Sequence, residues 1–310
     1  MASMTRDLHS AAGAMSDADW RARIEEIGEE AGYAEHLGPR HMAFFSDLDP
    51  VLLVSFEQLD RIRGAGGGQM PLGYRVAAAR GWSSLSVIAD GPTWFRDRRL
   101  WGYLDRLIDE GFFEDFDRVV LYGAGMGGHA AVSYAVVAPG CTVLALAPRA
   151  TLDPAITPWD RRDLGARRLD WQRRYGFTPE MLAGAGAAFL LHDPLQAPDA
   201  AHAALFGGPH VTHLSARHIG PDPQVVLERL GLLDPLLEAA CDGTLSARLF
   251  HRLWRARRED PAFLGRLVAR AQLTGGPTRL ARACRAALVH YDHPRLRALL
   301  AEAEKDARTP

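Results

Sequence analysis

The feature that most constrains the fold of this chain is an apolar run that ends in a glycine-rich turn. Residues 117–122 are predicted to form a buried strand, and residues 126–137 a helix that packs behind it. The turn between them reads Gly123-Ala-Gly-Met-Gly-Gly128, with four glycines in six positions. Because glycine has no Cβ atom, such a turn can reverse the chain tightly at the edge of a sheet. The sequence therefore predicts a strand–turn–helix unit.

Five other apolar runs have the length of buried strands and are separated by turn-rich or amphipathic segments. These runs are residues 51–56, 83–89, 141–147, 187–191 and 211–215. Strands that are apolar throughout and alternate with helices are typical of a parallel sheet covered on both faces. The predicted fold class is therefore α/β, with a mainly parallel sheet and helices on both sides.

The pattern changes after residue 231, where no further strand-like run occurs. Helices are predicted at 233–240, 244–258, 261–272, 278–290 and 294–306. An internal match at an offset of 33 residues pairs Pro261 with Pro294, Phe263 with Leu296, and Leu267 with Leu300. That period is typical of tetratricopeptide-like (TPR-like) helical hairpins. A helical cap packed on the sheet is the alternative, and the sequence leaves both open.

The chain is predicted to have three parts. Residues 1–15 are small and polar and are expected to be a disordered or non-native leader, with Met15 as an alternative start. Residues 16–230 are expected to form the α/β domain, with a helical insertion at about 151–185. Residues 232–310 are expected to form an all-helical extension that meets a protein partner.

The glycine turn fits the dinucleotide fingerprint G-x-G-x-x-G through Gly123, Gly125 and Gly128. In that motif the pyrophosphate rests on the helix N-terminus, and an acid after the next strand holds the ribose. Here the next strand is followed by Arg149, which suits a 2′-phosphate better. This interpretation predicts an FAD- or NADP-dependent oxidoreductase. The fingerprint usually opens its domain, however, whereas at least two strands precede this one.

The same turn also fits the nucleophile elbow G-x-S-x-G, with Gly125 at the serine position. An elbow needs tiny residues two positions before and after the nucleophile, and Gly123 and Gly127 meet that need. Gly128 lets the helix press against the sheet. The segment resembles the G-x-S-M-G-G elbow of the α/β-hydrolase superfamily. The resemblance covers about residues 45–230 and implies an α/β-hydrolase-like fold.

The resemblance also implies positions for the rest of the catalytic apparatus. The superfamily places its acid after the next-but-one strand and its histidine after the last strand. Asp193 follows the run 187–191, and His218 comes 25 residues later. These two are the candidate, or vestigial, acid and base. The backbone N–H groups of Met126 and Glu57 are the candidate donors to an oxyanion.

Glycine has no hydroxyl, so no acyl-enzyme can form at residue 125. The sequence therefore favours a pseudo-hydrolase that binds a small polar or acyl-type ligand or acts as a scaffold. Several adhesion and scaffold proteins of the superfamily lack the serine and work by binding. The alternative is a hydrolase or lyase without a covalent step, in which His218 and Asp193 activate a water molecule directly. An ordinary serine hydrolase is disfavoured.

Five further residues are candidates for the lining of a pocket. Trp94 and Trp159 lie on loops that follow strands, at the edge where such sheets bind ligands, and are suited to flat apolar faces. Ser55 and Asp90 end their strands, and His129 lies one turn into the helix after the glycine turn. Ordinary packing is the alternative explanation for each of them.

Charge and composition argue against several other classes of protein. A formal net charge of −2 provides no general attraction for nucleic acid. No apolar run is long enough to span a membrane, and no secretory signal precedes the domain. The three cysteines Cys141, Cys241 and Cys284 lack metal or redox spacing, and no metal motif is present. A cytoplasmic protein is therefore expected.

Overall fold

A computed structural model describes residues 16–64 and 68–308, so the predicted leader 1–15 lies outside the described residues. The described strands form one eight-stranded sheet in the order β1-β2-β4-β3-β5-β6-β7-β8. Strand β2 is antiparallel to both of its neighbours, and β3 to β8 are parallel. The strands are β1 (Gly32–His36), β2 (His41–Ser46), β3 (Val51–Gln58), β4 (Ser83–Ala89), β5 (Arg118–Ala124), β6 (Thr142–Leu146), β7 (Ala187–His192) and β8 (Val211–Ser215).

The six predicted strands correspond to β3 to β8, whereas β1 and β2 were not predicted. Strand β1 is a partly exposed edge strand without an apolar run. It is held by antiparallel pairing with β2, in which Gly32 faces Ser46. Strand β2 is the next strand along the chain, after residues 37–40, so β1 is held by its neighbour rather than by a strand pattern of its own. A single sequence therefore carries little signal for it.

Helices cover both faces of the sheet, which confirms the predicted fold class. The α-helices of the described residues are α1 (Asp17–Ala31), α2 (Leu59–Gly64), α3 (Leu72–Arg80), α4 (Arg98–Asp109), α5 (Met126–Ser133), α6 (Thr178–Met181), α7 (Ala197–Ala203), α8 (Pro223–Arg229), α9 (Leu233–Cys241), α10 (Ala247–Leu253), α11 (Pro261–Thr274), α12 (Gly276–Leu288) and α13 (Pro294–Asp306). In the described part of the chain, none of them is long and apolar enough to cross a membrane.

The two faces of the sheet have separate apolar cores. One core joins α4 and α5 to the sheet and includes Leu100 and Val132. The other core extends from the sheet through α3, α8 and α9 into the C-terminal helices. It contains sheet residues such as Leu144 together with Phe263 and Cys284 of the extension. The extension therefore adds to the core of one sheet face instead of enclosing a core of its own.

The prediction of helices across residues 151–185 is wrong for most of that segment. Only α6 and a short 3₁₀ turn at Ala166–Arg168 are helical, and the rest is irregular. Pro154 and Pro158 interrupt any helix at the start of the segment, because proline lacks the backbone N–H. Hydrogen bonds order the chain instead, including one from the buried Thr157 hydroxyl to the Thr151 carbonyl at 3.2 Å.

The internal match at an offset of 33 falls on equivalent places in two helices. Pro261 is the first residue of α11, and Pro294 is the first residue of α13. Helix α12 packs between them against both. The TPR-like hypothesis stays a prediction, because helices stacked in sequence also occur in a cap packed on a sheet.

Candidate active site

Gly125 lies at the apex of the sharp turn that joins β5 to α5. Its backbone angles are φ 56° and ψ −111°, which L-residues with side chains rarely adopt. Its N–H donates to the Leu146 carbonyl at 2.8 Å, and its carbonyl accepts from the His129 N–H at 3.0 Å. A Cβ atom built on Gly125 would meet no atom within 4 Å. The apex is thus fixed by its backbone and open where a side chain would project.

The glycines around the apex are required by contacts with backbone. A Cβ atom on Gly123 would lie 2.0 Å from the Gly127 carbonyl oxygen, and one on Gly127 would lie 2.1 Å from the Phe56 carbonyl oxygen. On Gly128 it would lie 2.8 Å from the Leu146 carbonyl oxygen. These distances are too short for any side chain. Close packing of Gly123 against the start of α5, of Gly127 against β3 and of Gly128 against β6 therefore explains all three glycines.

Asp193 follows β7 and is buried. Its carboxylate accepts from the Leu195 N–H at 3.0 Å and from the Gly220 N–H at 3.3 Å. Gly220 lies in the loop after β8, two residues beyond His218. Burial lowers the pKa of His218, and the negative charge of Asp193 opposes that shift. The structure therefore brings Asp193 to the His218 loop and couples the two electrostatically.

The imidazole of His218 faces the C-terminal extension. It packs edge-on against the Phe263 ring, with centroids 6.0 Å apart, and lines a cavity between α11 and α12. Neither Gly125 nor Met126 lines that cavity. Within residues 16–64 and 68–308, no hydrogen bond or ion pair joins the His218 side chain to Gly125, Met126 or Asp193. The triad positions thus share one edge of the sheet without being linked as a triad.

Glu57, a candidate oxyanion donor through its backbone, uses its side chain to hold helix α3. The carboxylate accepts from the N–H groups of Leu72 and Gly73 at 2.8 and 2.9 Å and from the Ser55 hydroxyl at 2.7 Å. Burial raises the pKa of Glu57, and these bonds oppose that shift. Ser55 also lies 3.1 Å from the Ser86 hydroxyl. The Ser55 hydroxyl is therefore committed to structure.

His129 is buried between α5 and the insertion. Its Nδ1 donates to the Arg149 carbonyl at 2.8 Å, and its Nε2 lies 3.1 Å from the Ser133 hydroxyl. Its ring packs edge-on against Trp94 and Trp171. Burial lowers the pKa of His129 to about 3, so it is neutral at physiological pH. His129 and Trp94 thus contribute to a packed aromatic cluster.

The Trp94 loop also touches the elbow directly. The Trp94 N–H donates to the thioether sulfur of Met126 at 2.9 Å, and Trp94 itself has φ 56°. A non-glycine residue in this conformation stores strain, and such strain often accompanies functional loops. Met126, the first residue of α5, therefore uses its side chain to fix the neighbouring loop, and its own N–H lies at the helix N-terminus.

Arg149 takes part in an ion-pair network that sequence inspection missed. Its guanidinium pairs with Asp163 and lies 3.7 Å from Asp160. The fully buried Asp160 accepts from His202 Nε2 at 2.9 Å, and the exposed Trp159 packs on the His202 ring. The positive charge that would face a 2′-phosphate is thus balanced within the protein. Asp160 and His202 are 42 residues apart, so no local sequence pattern predicts their contact.

Asp90 directly follows β4 and is engaged in structural contacts. Its carboxylate pairs with Arg21 of α1 at 2.6 Å, and its carbonyl accepts from Arg40 at the same distance. Asp90 therefore anchors the N-terminal helix. Within the described ranges, no three His, Cys, Asp or Glu side chains are placed to hold a metal ion. The three cysteines are buried as free thiols.

The strand order, the antiparallel β2 and the sharp turn after β5 agree with the α/β-hydrolase-like fold that the sequence predicts. No protein-family model matches the sequence, and no curated protein sequence is detectably similar to it. Solved structures with a similar fold include the carboxylesterase EstE1 from a metagenomic library. The two chains are 13% identical, with 75% of this chain and 99% of the esterase covered and a TM-score of 0.44.

Two other solved structures are comparably distant. An esterase of Pyrobaculum calidifontis is 14% identical, with 78% of this chain and 94% of the esterase covered and a TM-score of 0.41. The capsule O-acetyltransferase of Neisseria meningitidis serogroup A is 12% identical, with 63% of this chain and 91% of the transferase covered and a TM-score of 0.41.

Proposed function

We propose that this protein is a pseudo-hydrolase that binds a small polar or acyl-type ligand or acts as a scaffold. The observation that carries the proposal is Gly125 at the apex of the turn, with open space where a nucleophile would project. Acyl transfer through this apparatus needs a hydroxyl that a histidine can deprotonate. Gly125 offers none, and it relieves the backbone strain that a serine would bear there.

Other nucleophilic side chains near the sheet are already engaged. The Ser55 hydroxyl donates to Glu57, and the Ser133 hydroxyl lies 3.2 Å from the Tyr175 carbonyl. Burial raises the pKa of the Cys141 thiol to about 12, so its thiolate is scarce at neutral pH. None of these three groups is a ready substitute for the missing serine.

The second candidate is a hydrolase or lyase without a covalent step. It is favoured by the pairing of Asp193 with the His218 loop and by the lowered pKa of His218. A neutral imidazole can accept a proton from water, and a nearby carboxylate stabilises the resulting cation. In this mechanism the substrate would lie at His218 rather than at Gly125.

The proposal includes a cytoplasmic location and a protein partner on the C-terminal extension. Leu273 and Val289 of the extension are each 79% exposed. Exposed large apolar side chains are a common component of contact surfaces, although single ones also occur on ordinary surfaces. Support for a partner is therefore weaker than support for the missing nucleophile.

A fluorophosphonate probe and an activated acetate ester test the main proposal. The purified protein should neither be labelled nor hydrolyse the ester faster than Gly125→Ala and His218→Ala variants, because it has no nucleophile. Ester turnover that persists in Gly125→Ala but is lost in His218→Ala would favour the non-covalent enzyme. Native mass spectrometry of protein from its own cells should show a retained ligand or partner if the role is binding.

The Gly125→Ser variant tests the elbow separately. The open space at the apex should allow it to fold, as circular dichroism will show. We expect the folded variant to remain unlabelled by the fluorophosphonate, since His218 lines a cavity that does not include the elbow. Rapid labelling would place an oxyanion site and base in register with residue 125, and would argue that the apparatus is intact apart from its serine.

A further inference from the structure

The cavity between α11 and α12 has a volume of 340 Å³ and lies outside the elbow. This is within the range of pockets that hold small ligands. Its walls carry three arginines together with a histidine and the loop that joins the two helices. The residues used below are His218, Arg270, Thr274, Gly275, Arg279 and Arg282. We call this the arginine cavity.

The three arginines of the cavity carry charge that the protein does not neutralise. In residues 16–64 and 68–308, the guanidinium groups of Arg270, Arg279 and Arg282 have no hydrogen-bond or ion-pair partner. Arg285, on the same helix as two of them, pairs with Glu304 at 2.7 Å. Like charges held around one space repel each other, and a bound anion removes that repulsion. The whole chain has a net charge of −2, so these arginines are a local excess of positive charge.

Arg266 contacts a residue that lines the cavity, and the N-terminus of helix α12 lies at the cavity itself. Arg266 donates through Nε to the His218 carbonyl at 2.7 Å, and one of its terminal nitrogens is buried without a partner among the described residues. Helix α12 spans 13 residues and has no side-chain cap at Gly275. Its first N–H groups therefore carry the partial positive charge of a helix N-terminus. Three arginines and a helix N-terminus thus border one cavity, and Arg266 is bound to the backbone of His218 beside it.

We propose that the arginine cavity binds a small molecule through a phosphoryl group. The planar guanidinium group matches the geometry of phosphate oxygens, and a dianion balances more of this charge than a carboxylate does. The volume admits a phosphorylated small molecule and is too small for a folded partner. This inference goes beyond the proposed function and does not depend on Gly125, so the two can fail separately.

The position of His218 gives the bound molecule a defined orientation. His218 and Arg270 both line the cavity, and the positive charges of Arg270 and Arg266 act to lower the pKa of His218. A phosphoryl group held by the arginines therefore lies beside a histidine that Asp193 also influences. His218 is a direct contact of the ligand in this arrangement, as a hydrogen-bond donor or acceptor.

Isothermal titration calorimetry with inorganic phosphate and pyrophosphate, at constant ionic strength, tests the proposal. Saturable binding is expected, with pyrophosphate tighter than phosphate and acetate much weaker. The double variant R279A/R282A should weaken pyrophosphate binding by about tenfold or more, because two charge-assisted contacts are lost. The matched control Arg285→Ala removes a charge from the same helix and should change affinity by less than about twofold. Gly125→Ala should bind like the parent.

Three results would overturn the proposal. The first is that neither phosphate nor pyrophosphate binds saturably. The second is that acetate binds as tightly as pyrophosphate. The third is that Arg285→Ala weakens pyrophosphate binding as much as the double variant does. If the double variant fails to fold, Arg270→Gln on α11 and R279K/R282K replace it. The two lysines keep the positive charge but lack the planar guanidinium group, so the affinity for pyrophosphate should still fall. Unchanged affinity in both replacements would also count against the proposal.

Discussion

The elbow and the arginine cavity lie in different parts of the molecule and are built in opposite ways. The elbow is made of backbone: its glycines touch carbonyl groups of β3 and β6, and its apex is uncharged and empty. The arginine cavity is made of long side chains on two helices, with charge that lacks internal partners. The elbow is a packed turn with no side chain at its apex, whereas the cavity presents cationic side chains that the packing of the fold does not need.

The difference shows that backbone packing and side-chain charge depend on different residues in this molecule. Residue 125 tolerates glycine because the neighbouring strands hold the turn, and no contact depends on a side chain there. The arginines at 279 and 282 can be replaced with little effect on packing, because they are exposed. Substitutions at the elbow should therefore change stability, and substitutions in the cavity should change binding.

The largest expected effect separates two glycines of the elbow. Gly127→Ala places a Cβ atom 2.1 Å from the Phe56 carbonyl oxygen, and we expect it to lower the free energy of unfolding by about 3 kcal/mol or more. Gly125→Ala meets no atom and should cost only about 1 kcal/mol, from its backbone angles. Urea denaturation followed by tryptophan fluorescence measures both. Equal losses of unfolding free energy would mean that residue 125 is packed as tightly as residue 127.

A smaller effect concerns acid stability on the elbow side. The pKa of His129 is lowered to about 3 and that of His41 to about 4, so the unfolded chain binds more protons than the folded one below about pH 6.5. The contribution of these two histidines to the free energy of unfolding is therefore full above pH 6.5 and is lost as the pH falls towards 3. At pH 5 the burial of each histidine should lower the free energy of unfolding by about 2 kcal/mol relative to pH 7.5.

Urea denaturation at pH 7.5, 6 and 5 measures this loss of acid stability. His129→Gln should flatten the dependence on pH, because the buried titrating group is gone. His218→Gln is the control from the arginine cavity, and it should flatten the dependence less, since His218 is only partly buried. A stability that does not vary between pH 7.5 and 5 would contradict the burial of His129.

The smallest expected effect tests the electrostatic coupling between Asp193 at the sheet edge and His218 in the arginine cavity. Asp193→Asn removes a charge that raises the pKa of His218, so that pKa should fall further, by about one unit or less. Titration of the His218 ring protons by nuclear magnetic resonance measures the shift. Asp222→Asn, whose side chain pairs with Arg61 instead, is the control and should leave the titration unchanged. An unaffected His218 in Asp193→Asn would show that the two groups are not coupled.

The sequence predicted those parts of the fold that depend on local pattern. Buried parallel strands appear as apolar runs, and the elbow appears as glycines at fixed spacing, because both constraints act on neighbouring residues. Edge strand β1 has no apolar run, and the pairing of Asp160 with His202 joins segments 42 residues apart, so no local signal marks either of them. The insertion was predicted to be helical from its composition, although its prolines favour irregular structure.

The candidate site was predictable in its order along the chain but not in its orientation. Asp193 and His218 follow the strands expected of them, because parallel strands end at one edge of a sheet. The direction of the His218 imidazole depends on Phe263 and α11, which lie outside the resemblance. The arginines of the cavity look like a solvated helix face in sequence, and only the folding of α12 back along α11 brings them together.

The shared core beneath the extension has a consequence for cooperativity. Phe250, Trp254 and Phe263 lie in the same apolar cluster as strands β5 to β8. Melting of α11 would expose that cluster to water, at a cost that grows with the apolar area uncovered. The sheet and the C-terminal helices should therefore unfold in a single calorimetric transition, and a ligand bound on the helices should raise the melting temperature of the whole chain.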